Sequence, residues 1–425
     1  MIETIYQHFT KAYKVSTDSR KTDHDAVFFA LKGENFDAND FALQVAEAGK
    51  ASLVVADRKD LPKHERILIV DNTLKALQDL ARHHRRHCKA TVIAITGTNG
   101  KTTTKELVSA VLEKKYKLIH TMGNLNNHIG VPLTLLSIRP ETEMAVVEMG
   151  ANHPDEIDAL CKIAEPDYGL ITNVGKAHLE GFGSFEGVIK TKTELYRHIK
   201  AHGKAVFVNQ GDPLLWEQSE GQTRISYGRH CAADTPVAPA ACNPYLSVGW
   251  EKHLIQTHLV GSYNFENVAA AIGVGHYFKV DENDIIEALE QYTPTNSRSQ
   301  VIETQKNRIL MDAYNANPTS MRAALINFAN IRGEQHLLIL GDMRELGSAS
   351  EEEHRNILAL MKELGFKEAL LVGQNFNAYN DNHDWKTFAK VEDLCQFIES
   401  HPIEGKHILV KGSRGIQLEK VLPLL

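Results

Sequence analysis

The segment 97–103, with the sequence GTNGKTT, contains the residues whose types and spacing point most directly to chemistry. It follows a short apolar run, 91–95, and precedes a stretch with helical periodicity, so it is predicted to be the turn between a strand and a helix. In such a turn the backbone N–H groups and the positive end of the helix dipole converge where an anion can bind. The pattern indicates a nucleoside triphosphate, with Lys101 at the β- and γ-phosphates and the Thr102 hydroxyl on a magnesium ion.

The spacing of the two glycines narrows this prediction. Gly97 and Gly100 let the backbone approach phosphate oxygens closely, and only two residues separate them. The common P-loop consensus has four residues between its glycines, which argues against an ordinary kinase or GTPase. The alternative is a strand-to-helix turn that is rich in glycine and binds nothing. The predicted ATP-binding residues of the loop are Gly97, Thr98, Asn99, Gly100, Lys101, Thr102 and Thr103.

The chain length and composition limit the class of protein. A chain of 425 residues exceeds what one hydrophobic core usually supports, so two or three domains are expected. The formal net charge of -7 gives no reason to expect nucleic acid or an anionic membrane as a partner. The five cysteines show no CxxC spacing, and no apolar run is long enough to span a bilayer. We expect a cytoplasmic monomer with reduced thiols and without membrane insertion.

The elements that must position the loop follow an α/β rhythm. Apolar segments of strand length alternate with helical patterns, which is typical of parallel sheets covered by helices. The predicted strands are 27–31, 52–56, 67–70, 91–95, 144–148, 168–173, 204–209, 309–312, 336–340, 369–372 and 407–410. A helix is predicted from Thr73 to about His87, and 293–300 is predicted to be a linker. The segment 212–263 has little periodicity and is left unassigned. The predicted domains are 1–84, 85–294 and 295–425.

Polar residues follow nearly every predicted strand, and in parallel α/β sheets this is the edge where ligands bind. Glu148 ends an apolar strand, where a carboxylate can hold magnesium or can simply be a solvated strand end. His178 can be a metal ligand through a neutral ring nitrogen, although a lone histidine usually is not one. Taken alone, Lys192 is predicted to be an exposed lysine on a helix. Asn264 and Asn267 head an alanine-rich helix, where their amides suit an adenine edge or a helix cap.

The short loop GTNGKT, together with EMGANH at 148–153 and AHLEGFGS at 177–184, resembles the Mur ligase family, ATP-dependent enzymes that join an amino acid or peptide to a carboxylate. The resemblance implies that Glu148 and His178, with Thr102, hold two magnesium ions, and that Lys192 is carbamylated by CO2. Lys190 lies two residues away and is the alternative, and the following TELY favours Lys192. The resemblance further implies that Asn264 contacts adenine.

In the last third of the chain, the same resemblance implies that Arg298 and Asp312, near Tyr314, reach the ATP from the C-terminal domain. Arg298 is expected on phosphate and Asp312 on the ribose or nucleotide. Closure of the C-terminal domain is then expected to complete the site and exclude water.

Further motifs point to one branch of that family. NLNNHIGVP at 124–132, DAYNANPTSM at 312–321, GDMRELG at 341–347 and LVKGSRG at 409–415 resemble the branch that adds D-alanyl-D-alanine to UDP-N-acetylmuramoyl-tripeptide through an acyl phosphate, in peptidoglycan precursor synthesis. This implies a uridine-nucleotide-binding N-terminal α/β domain, a central P-loop ATPase domain with a parallel sheet, and a Rossmann-like C-terminal domain. The implied substrate-binding residues are Asp18, Ser19, Arg20, Asn124, Asn126, Asn127, Asn315, Asn317, Asp342, Arg344 and Arg414.

Several alternatives remain open at this point. Asp18, Ser19 and Arg20 could form an ordinary turn, and Ala38 stands where family members often have glycine. Another amide ligase of the superfamily is possible, such as one adding an earlier stem-peptide residue or a folylpolyglutamate synthase. A non-catalytic ATP-binding module is also possible, although nucleotide binding alone does not require Glu148, His178 and Lys192 together.

Overall fold

In the computed structural model the chain forms three α/β units, each built on its own sheet. The structure describes residues 1–295, 298–331, 335–380 and 385–425. The predicted linker 293–300 includes Asn296 and Ser297, which lie outside the described residues. Within the described ranges the helices are too short or too polar to span a membrane.

The N-terminal sheet has four parallel strands that lie in sequence order. They are β1 (Val15–Ser16), β2 (Val27–Phe29), β3 (Leu53–Ala56) and β4 (Ile67–Ile69). The helices are α1 (Ile2–Ala12), α2 (Ala42–Glu47) and α3 (Thr73–His87), with a 3-10 turn at Ala38–Phe41. The predicted helix from Thr73 is confirmed, and the Asn72 side chain caps it by accepting a hydrogen bond from the Lys75 N–H at 2.7 Å. The three predicted strands of this unit are also confirmed.

The central sheet has nine strands in the order β13-β12-β11-β10-β9-β8-β5-β7-β6. The strands are β5 (Thr91–Thr96), β6 (Leu118–His120), β7 (Met144–Glu148), β8 (Tyr168–Ile171), β9 (Ala205–Asn209), β10 (Arg224–Gly228), β11 (Thr235–Cys242), β12 (Tyr245–Trp250) and β13 (His253–Val260). The helices are α4 (Lys101–Glu113), α5 (Gly130–Leu135), α6 (Glu156–Ala164), α7 (Leu179–Phe182), α8 (Phe185–Lys192), α9 (Glu194–His202), α10 (Pro213–Gln218), α11 (Phe265–Tyr277) and α12 (Glu282–Gln291), with a 3-10 turn at Ser262–Asn264.

The burial of these strands explains why some were predicted and others were not. Strands β7, β8 and β9 are buried along their whole length, so they read as continuous apolar runs. In the unassigned segment 212–263, β11, β12 and β13 pair antiparallel and expose one face to solvent. Their buried residues are separated by residues that are more exposed, so no continuous apolar run marks these strands in the sequence.

The C-terminal sheet has six strands in the order β14-β15-β19-β16-β17-β18, all parallel except for the antiparallel edge strand β14. The strands are β14 (Gln300–Glu303), β15 (Arg308–Asp312), β16 (His336–Gly341), β17 (Glu368–Val372), β18 (Lys386–Phe388) and β19 (His407–Lys411). The helices are α13 (Pro318–Ala329), α14 (Ser350–Glu363), α15 (Gln374–Tyr379) and α16 (Val391–Ser400), with 3-10 turns at Gly347–Ala349, Arg414–Ile416 and Leu418–Leu424. The four strands predicted in this unit are confirmed.

The N-terminal and central units share one hydrophobic core. Phe9 on α1, Leu77 on α3 and Ile157 on α6 belong to the same buried cluster. Helix α3 supplies the connection, because it packs against α1 on one side and against α5 and α6 on the other. The C-terminal unit has its own cores on the two faces of its sheet. The boundary near residue 84 therefore crosses a continuous core, and the three-domain division at 84/85 and 294/295 stays a prediction.

Candidate active site

The glycine-rich loop connects β5 to α4, as predicted. Gly97 has φ 143° and Gly100 has φ 77°, conformations that favour glycine. The Lys101 Nζ donates hydrogen bonds to the backbone oxygens of Gly97 at 2.9 Å and Thr98 at 3.0 Å. The ammonium group therefore lies across the mouth of the loop, within reach of any anion that binds there.

Asn173, which follows the neighbouring strand β8, holds the loop open. Its side-chain oxygen accepts from the Asn99 N–H at 3.0 Å, and its amide nitrogen donates to the Asn99 carbonyl at 3.0 Å. The Asn173 carbonyl accepts from the Thr98 N–H at 2.9 Å, and the Thr172 hydroxyl donates to the Asn99 carbonyl at 2.6 Å. These contacts fix the backbone of the loop before any ligand arrives.

Gly100 is a position where a side chain is expected to disturb this loop. An added Cβ would lie 2.5 Å from the Asn267 side-chain oxygen. Gly100→Ala is therefore expected to cost about 2 kcal/mol or more in unfolding free energy and to weaken nucleotide binding at least about tenfold. Chemical denaturation and calorimetry with ATP measure the two effects.

Gly365→Ala is the matched control for that variant, because Gly365 has φ 75° but nothing within 4 Å of its added Cβ. This variant is expected to carry the backbone strain alone, about 1 kcal/mol, with unchanged ATP binding. Equal ATP affinity in both variants would contradict the assignment of the loop.

Thr102 and Glu148 meet beneath the loop. The Thr102 hydroxyl donates to one Glu148 carboxylate oxygen at 2.9 Å, and the Asn126 amide donates to the other at 2.7 Å. Glu148 is 1 % exposed, because β7 lies beside β5 and ends at the same edge of the sheet. A hydroxyl and a carboxylate side by side are hard oxygen donors, which fits a magnesium ion. Within the described ranges no group of three or more His, Cys, Asp or Glu residues is arranged to hold a metal, so phosphate and water are expected to complete the coordination.

Desolvation lowers the pKa of Lys101 to about 8, with the nearby Arg298 acting in the same direction and Glu148 in the opposite one. The free protein therefore loses the Lys101 charge above about pH 8, whereas a bound triphosphate keeps it protonated. ATP affinity is expected to fall by up to about tenfold per pH unit above pH 8. Calorimetry from about pH 7 to pH 9.5 measures the slope, and Lys101→Met should bind ATP weakly without that slope.

Lys192 is buried, contrary to the reading of an exposed helix lysine. It is 2 % exposed, its Nζ donates to the Ala151 carbonyl at 3.3 Å, and it lies 5.4 Å from the centre of the Phe182 ring. Desolvation, with the positive charge of Lys101 as a second cause, lowers the pKa of Lys192 well below its ordinary value. Lys190 is exposed. Of the two lysines, Lys192 is the one whose environment favours an uncharged amine.

His178 lies at the start of α7 and faces the C-terminal unit. Its Nδ1 is hydrogen-bonded to the Glu345 carboxylate, and its φ of 51° is in the left-handed region. It lines the same cavity as Glu148 and Lys101. Two of the predicted metal residues, Glu148 and His178, thus line one cavity, and Thr102 contacts Glu148 behind that lining. The histidine is held by a residue of the other unit.

This cavity, of about 950 Å³, lies between the central and C-terminal sheets. From the central unit, the predicted residues that line it are Thr98, Asn99, Gly100, Lys101, Thr103, Asn124, Asn126, Asn127, Glu148, His178 and Asn264. From the C-terminal unit they are Arg298, Asp312, Asn315 and Asn317, together with Tyr314. Gly97, Thr102 and Lys192 lie behind this lining. The structure therefore brings most of the predicted ATP-site residues to one space.

The predicted adenine residue Asn264 is buried at this cavity. Its amide nitrogen donates to the Val260 carbonyl at 2.8 Å, and its oxygen accepts from Asn267 at 2.8 Å. An amide offers two hydrogens and two lone pairs, so one of each is left for a base edge. Its side chain makes no hydrogen bond to the start of α11, so the helix-cap alternative is not supported.

The C-terminal unit contributes cations to the cavity. The Arg298 guanidinium stacks 3.8 Å from the centre of the Tyr314 ring, and its buried Nε has no hydrogen-bond partner within the described part of the chain. Lys411 is 2 % exposed and its Nζ lies 2.6 Å from Asp312. Since Asp312 and Lys411 are register partners at the ends of β15 and β19, the sheet places them together.

A second cavity of about 150 Å³ adjoins the first and shares His178, Asn315, Asn317 and Glu345 with it. The predicted residues Arg344 and Arg414 line it. Arg344 packs closely on Gly415: a Cβ added to Gly415 would lie 2.1 Å from the Arg344 guanidinium. This space therefore has two guanidinium groups at its wall and opens beside His178.

Two predicted substrate residues have other partners. Asp342 lines neither cavity; its carboxylate accepts from the N–H groups of Asn375 and Phe376, both at 2.9 Å, at the start of α15. The structure thus gives Asp342 a helix-capping position, because β16 ends opposite the start of that helix. Asn317 caps α13 and its amide donates to the Asn99 side chain at 2.8 Å, which links the C-terminal unit to the glycine-rich loop.

Comparison with known proteins identifies the family. Residues 95–275 match the Mur ligase middle domain, and residues 297–414 match the Mur ligase glutamate ligase domain. The chain is 35% identical, over 97% of its length and 93% of the relative's, to the UDP-N-acetylmuramoyl-tripeptide–D-alanyl-D-alanine ligase of Bacillus subtilis (strain 168). The chain belongs to the Mur ligase family. Its identity to the corresponding Escherichia coli (strain K12) ligase is 34%, over 97% of this chain and 93% of the relative.

Solved structures agree with this Mur ligase over its whole length. Crystal structure I of MurF from Acinetobacter baumannii matches with a TM-score of 0.86 at 32% identity, over 96% of this chain and 92% of that one. MurF ligase from Thermotoga maritima in complex with ADP matches with a TM-score of 0.85 at 27% identity, over 97% and 96% of the two chains. A folylpolyglutamate synthase of Mycobacterium tuberculosis, 14% identical, shares the fold alone.

The predicted uridine-side residues of this Mur ligase lie apart from the main cavity. Arg20 is turned back onto Asp18, with both nitrogen–oxygen distances 2.9 Å, and this pairing lowers the pKa of Asp18 to about 2. Asp18 lines a cavity of about 520 Å³ between β1 and α5, together with Lys21 and Arg139. Ser19 and Arg20 are not part of that lining. For Ser19 and Arg20 the structure has an ordinary turn, which was the alternative to a substrate-binding role.

Three residues at the site of this Mur ligase were missed by the sequence analysis: Asn173, Lys411 and Glu345. Asn173 and Lys411 lie just after or at the end of parallel strands, the same signal that identified Glu148, and Lys411 also falls in the motif at 409–415. Glu345 falls in the motif GDMRELG at 341–347, but its contact with His178 spans two units, so no local pattern indicates that contact.

Proposed function

We propose that this Mur ligase adds D-alanyl-D-alanine to UDP-N-acetylmuramoyl-tripeptide with consumption of ATP, as its curated relatives do. The terminal carboxylate of the tripeptide attacks the γ-phosphorus of ATP, and ADP leaves. The dipeptide amine then attacks the acyl phosphate, and phosphate leaves. The observation that carries the proposal is the cavity that the glycine-rich loop of the central sheet shares with the strand ends of the C-terminal sheet.

The first step brings two anions together, so the site has to offset their repulsion. Lys101 reaches the loop mouth, and Arg298 faces the same cavity with a buried Nε that has no partner among the described residues. These groups are already in place before the ligand binds, because Asn173 and the Tyr314 ring hold their surroundings. Such preorganised charge lowers the barrier without reorganisation during the reaction.

Thr102 and Glu148 are the residues that hold the magnesium ion in this proposal. Their oxygen atoms lie 2.9 Å apart directly beneath the loop. When bound there, a magnesium ion would supply positive charge that offsets the negative charge of the phosphates. Asn126 fixes the Glu148 carboxylate from the other side, so its orientation does not depend on the ion.

We propose that Lys192 carries the carbamate, because Lys192 is buried and Lys190 is exposed. Attack on CO2 requires a neutral amine, and burial favours the neutral form of Lys192. The carbamate is an oxygen-bearing anion, which suits the space next to Lys101 and supports a second cation.

The smaller cavity is proposed to hold the dipeptide. Arg344 and Arg414 bind its carboxylate, and Asn315 lies at the boundary between the two spaces. The amine then points toward His178 and the γ-phosphate end of the larger cavity. The hydrogen bond from the Asn317 amide to the Asn99 side chain, at 2.8 Å, keeps the two units together while the acyl phosphate exists. Exclusion of water protects that intermediate from hydrolysis.

A phosphate-release assay tests the proposal. The protein is given ATP, magnesium and UDP-N-acetylmuramoyl-tripeptide, with and without D-alanyl-D-alanine. Sustained ADP formation is expected only when both substrates are present, with the pentapeptide product detected by mass spectrometry. ATP turnover that ignores both substrates would favour a nucleotide-binding module, and turnover with an amino acid instead of the dipeptide would favour an earlier ligase of the same family.

A further inference from the structure

One hydrogen bond joins a predicted catalytic residue of the central unit to the C-terminal unit. The Glu345 carboxylate accepts from His178 Nδ1 across the boundary between the two sheets. Both residues have positive φ, 51° for His178 and 63° for Glu345. Such conformations are unfavourable for a non-glycine residue, so the surrounding structure holds both partners in place.

The pair leaves the other ring nitrogen of His178 available. Nε2 has no hydrogen-bond partner among the residues that the structure describes, and the ring borders both cavities. A neutral imidazole that donates from Nδ1 carries its lone pair on Nε2. The Phe182 ring packs edge-on against the imidazole with centroids 6.3 Å apart, which limits its rotation. The arrangement presents an acceptor nitrogen at the junction of the two spaces.

We propose that Glu345 is the positioning residue of His178: from the C-terminal unit it selects the tautomer and orientation in which Nε2 faces the reacting groups. The inference rests on the proposed function and deepens it, because it ties one residue of the catalytic site to the docking of the C-terminal unit. Glu345 acts through His178 and is not itself required to touch a substrate.

Further contacts show how packing of the C-terminal unit on the central unit brings Glu345 to His178. The Glu180 N–H donates to the Glu345 carbonyl at 3.4 Å, and an added Cβ at Gly347 would lie 3.4 Å from Glu180. Lys176 on the same loop pairs with Glu353 on α14 at 2.9 Å. The loop around His178 therefore meets the segment 345–353 along its length. If the units separated, Glu345 would leave His178, whereas the hydrogen bonds between Asn173 and the glycine-rich loop would remain.

Three variants of the full-length chain test this inference. Glu345→Ala removes the acceptor, and Glu345→Gln keeps an oxygen that can accept from Nδ1. Glu353→Ala is the matched control, because it removes an ion pair between the same loop and the same unit without touching the ring. The tautomer of His178 is read by nitrogen-15 NMR of the ligand-free protein well above the ordinary histidine pKa, and the resonance is assigned with His178→Gln.

The Nδ1–H tautomer is expected in the wild type, in Glu345→Gln and in Glu353→Ala, and is expected to be lost in Glu345→Ala. In the complete ligation assay, kcat is expected to fall about 10–100-fold in Glu345→Ala, less than about tenfold in Glu345→Gln and about twofold or less in the control. KM for the tripeptide nucleotide is expected to change little, because Glu345 does not hold that substrate.

The inference is overturned if Glu345→Ala keeps the Nδ1–H tautomer, or if its kcat stays within about twofold of the wild type. It is also overturned if kcat falls as far in the Glu353→Ala control as in Glu345→Ala, because the loss would then come from weaker contact between the two units and not from the ring of His178. A wild-type protein without substrate-dependent ATP turnover would count against the proposed function instead, and the tautomer measurement would still decide whether Glu345 sets the ring of His178.

Discussion

Replacement of Lys101 by alanine is expected to reduce ligase turnover by about 10³-fold or more while the protein stays folded. Lys101 is the cation at the mouth of the glycine-rich loop, and its hydrogen bonds are to the carbonyls of Gly97 and Thr98 rather than to a core partner. Its lowered pKa shows that the charged form is disfavoured by its surroundings in the free protein. Removing it therefore takes away stabilisation of the transferring phosphoryl group, while relief of the desolvation of its charge offsets the loss of its two hydrogen bonds to the loop.

The measurement is steady-state ADP release with both substrates, accompanied by thermal unfolding of the free protein. Lys114→Ala is the matched control, because Lys114 lies at the other end of α4, is exposed, and pairs with Glu287 at the surface at 3.0 Å. The control is expected to retain nearly full activity. Turnover of Lys101→Ala at a tenth of the wild-type rate or more would show that the loop does not work as a phosphate site.

Replacement of Lys192 by alanine is expected to inactivate the enzyme, with partial recovery when a small carboxylate such as acetate is added. The buried amine has a lowered pKa, so it is available for carbamylation, and a free carboxylate in the vacated space can replace part of the anion. Loss of activity by about 10²-fold or more is expected in the ligation assay, because an oxygen ligand near the phosphates is removed.

Lys190→Ala is the matched control for Lys192, since it removes an exposed lysine from the same helix α8. It is expected to be active and insensitive to acetate. Enzyme equilibrated with carbon-13 bicarbonate should show a carbamate carbonyl resonance that is absent from Lys192→Ala and present in Lys190→Ala. An active wild-type enzyme without that resonance would refute the carbamate.

Some features of this protein could be predicted from the sequence because their cause is local. The buried strands β5 and β7 are short apolar runs, and the residues that end or follow them, the glycine-rich loop and Glu148, are polar. Because parallel strands end at a common edge, the order of these signals along the chain already predicted an anion site beside a carboxylate. The structure places Thr102 and Glu148 2.9 Å apart on that edge.

Other assignments depended on how the units pack. Lys190 and Lys192 are both helix lysines, and only the packing of α8 against Ala151 and Phe182 makes one of them buried. Ser350 and Glu353 have the Ser-x-x-Glu spacing that predicts a capping box at the start of a helix. In the structure a 3-10 turn runs directly into α14, so Ser350 is already helical and Glu353 pairs with Lys176. That prediction was wrong because an interdomain partner competed with a local one.

The sequence by itself determined the strands that are short, buried apolar runs, where their polar ends lie and which family the motifs resemble, since apolar runs and glycine spacing are properties of neighbouring residues. Only the tertiary structure decided the contacts between residues far apart in the chain: Asn317 with Asn99, Glu345 with His178, and Asp342 with the start of α15. Each depends on how one sheet is docked on another or on how a strand meets a distant helix. These distances are set by the packing of whole units, and no pattern within a window of the sequence reports them.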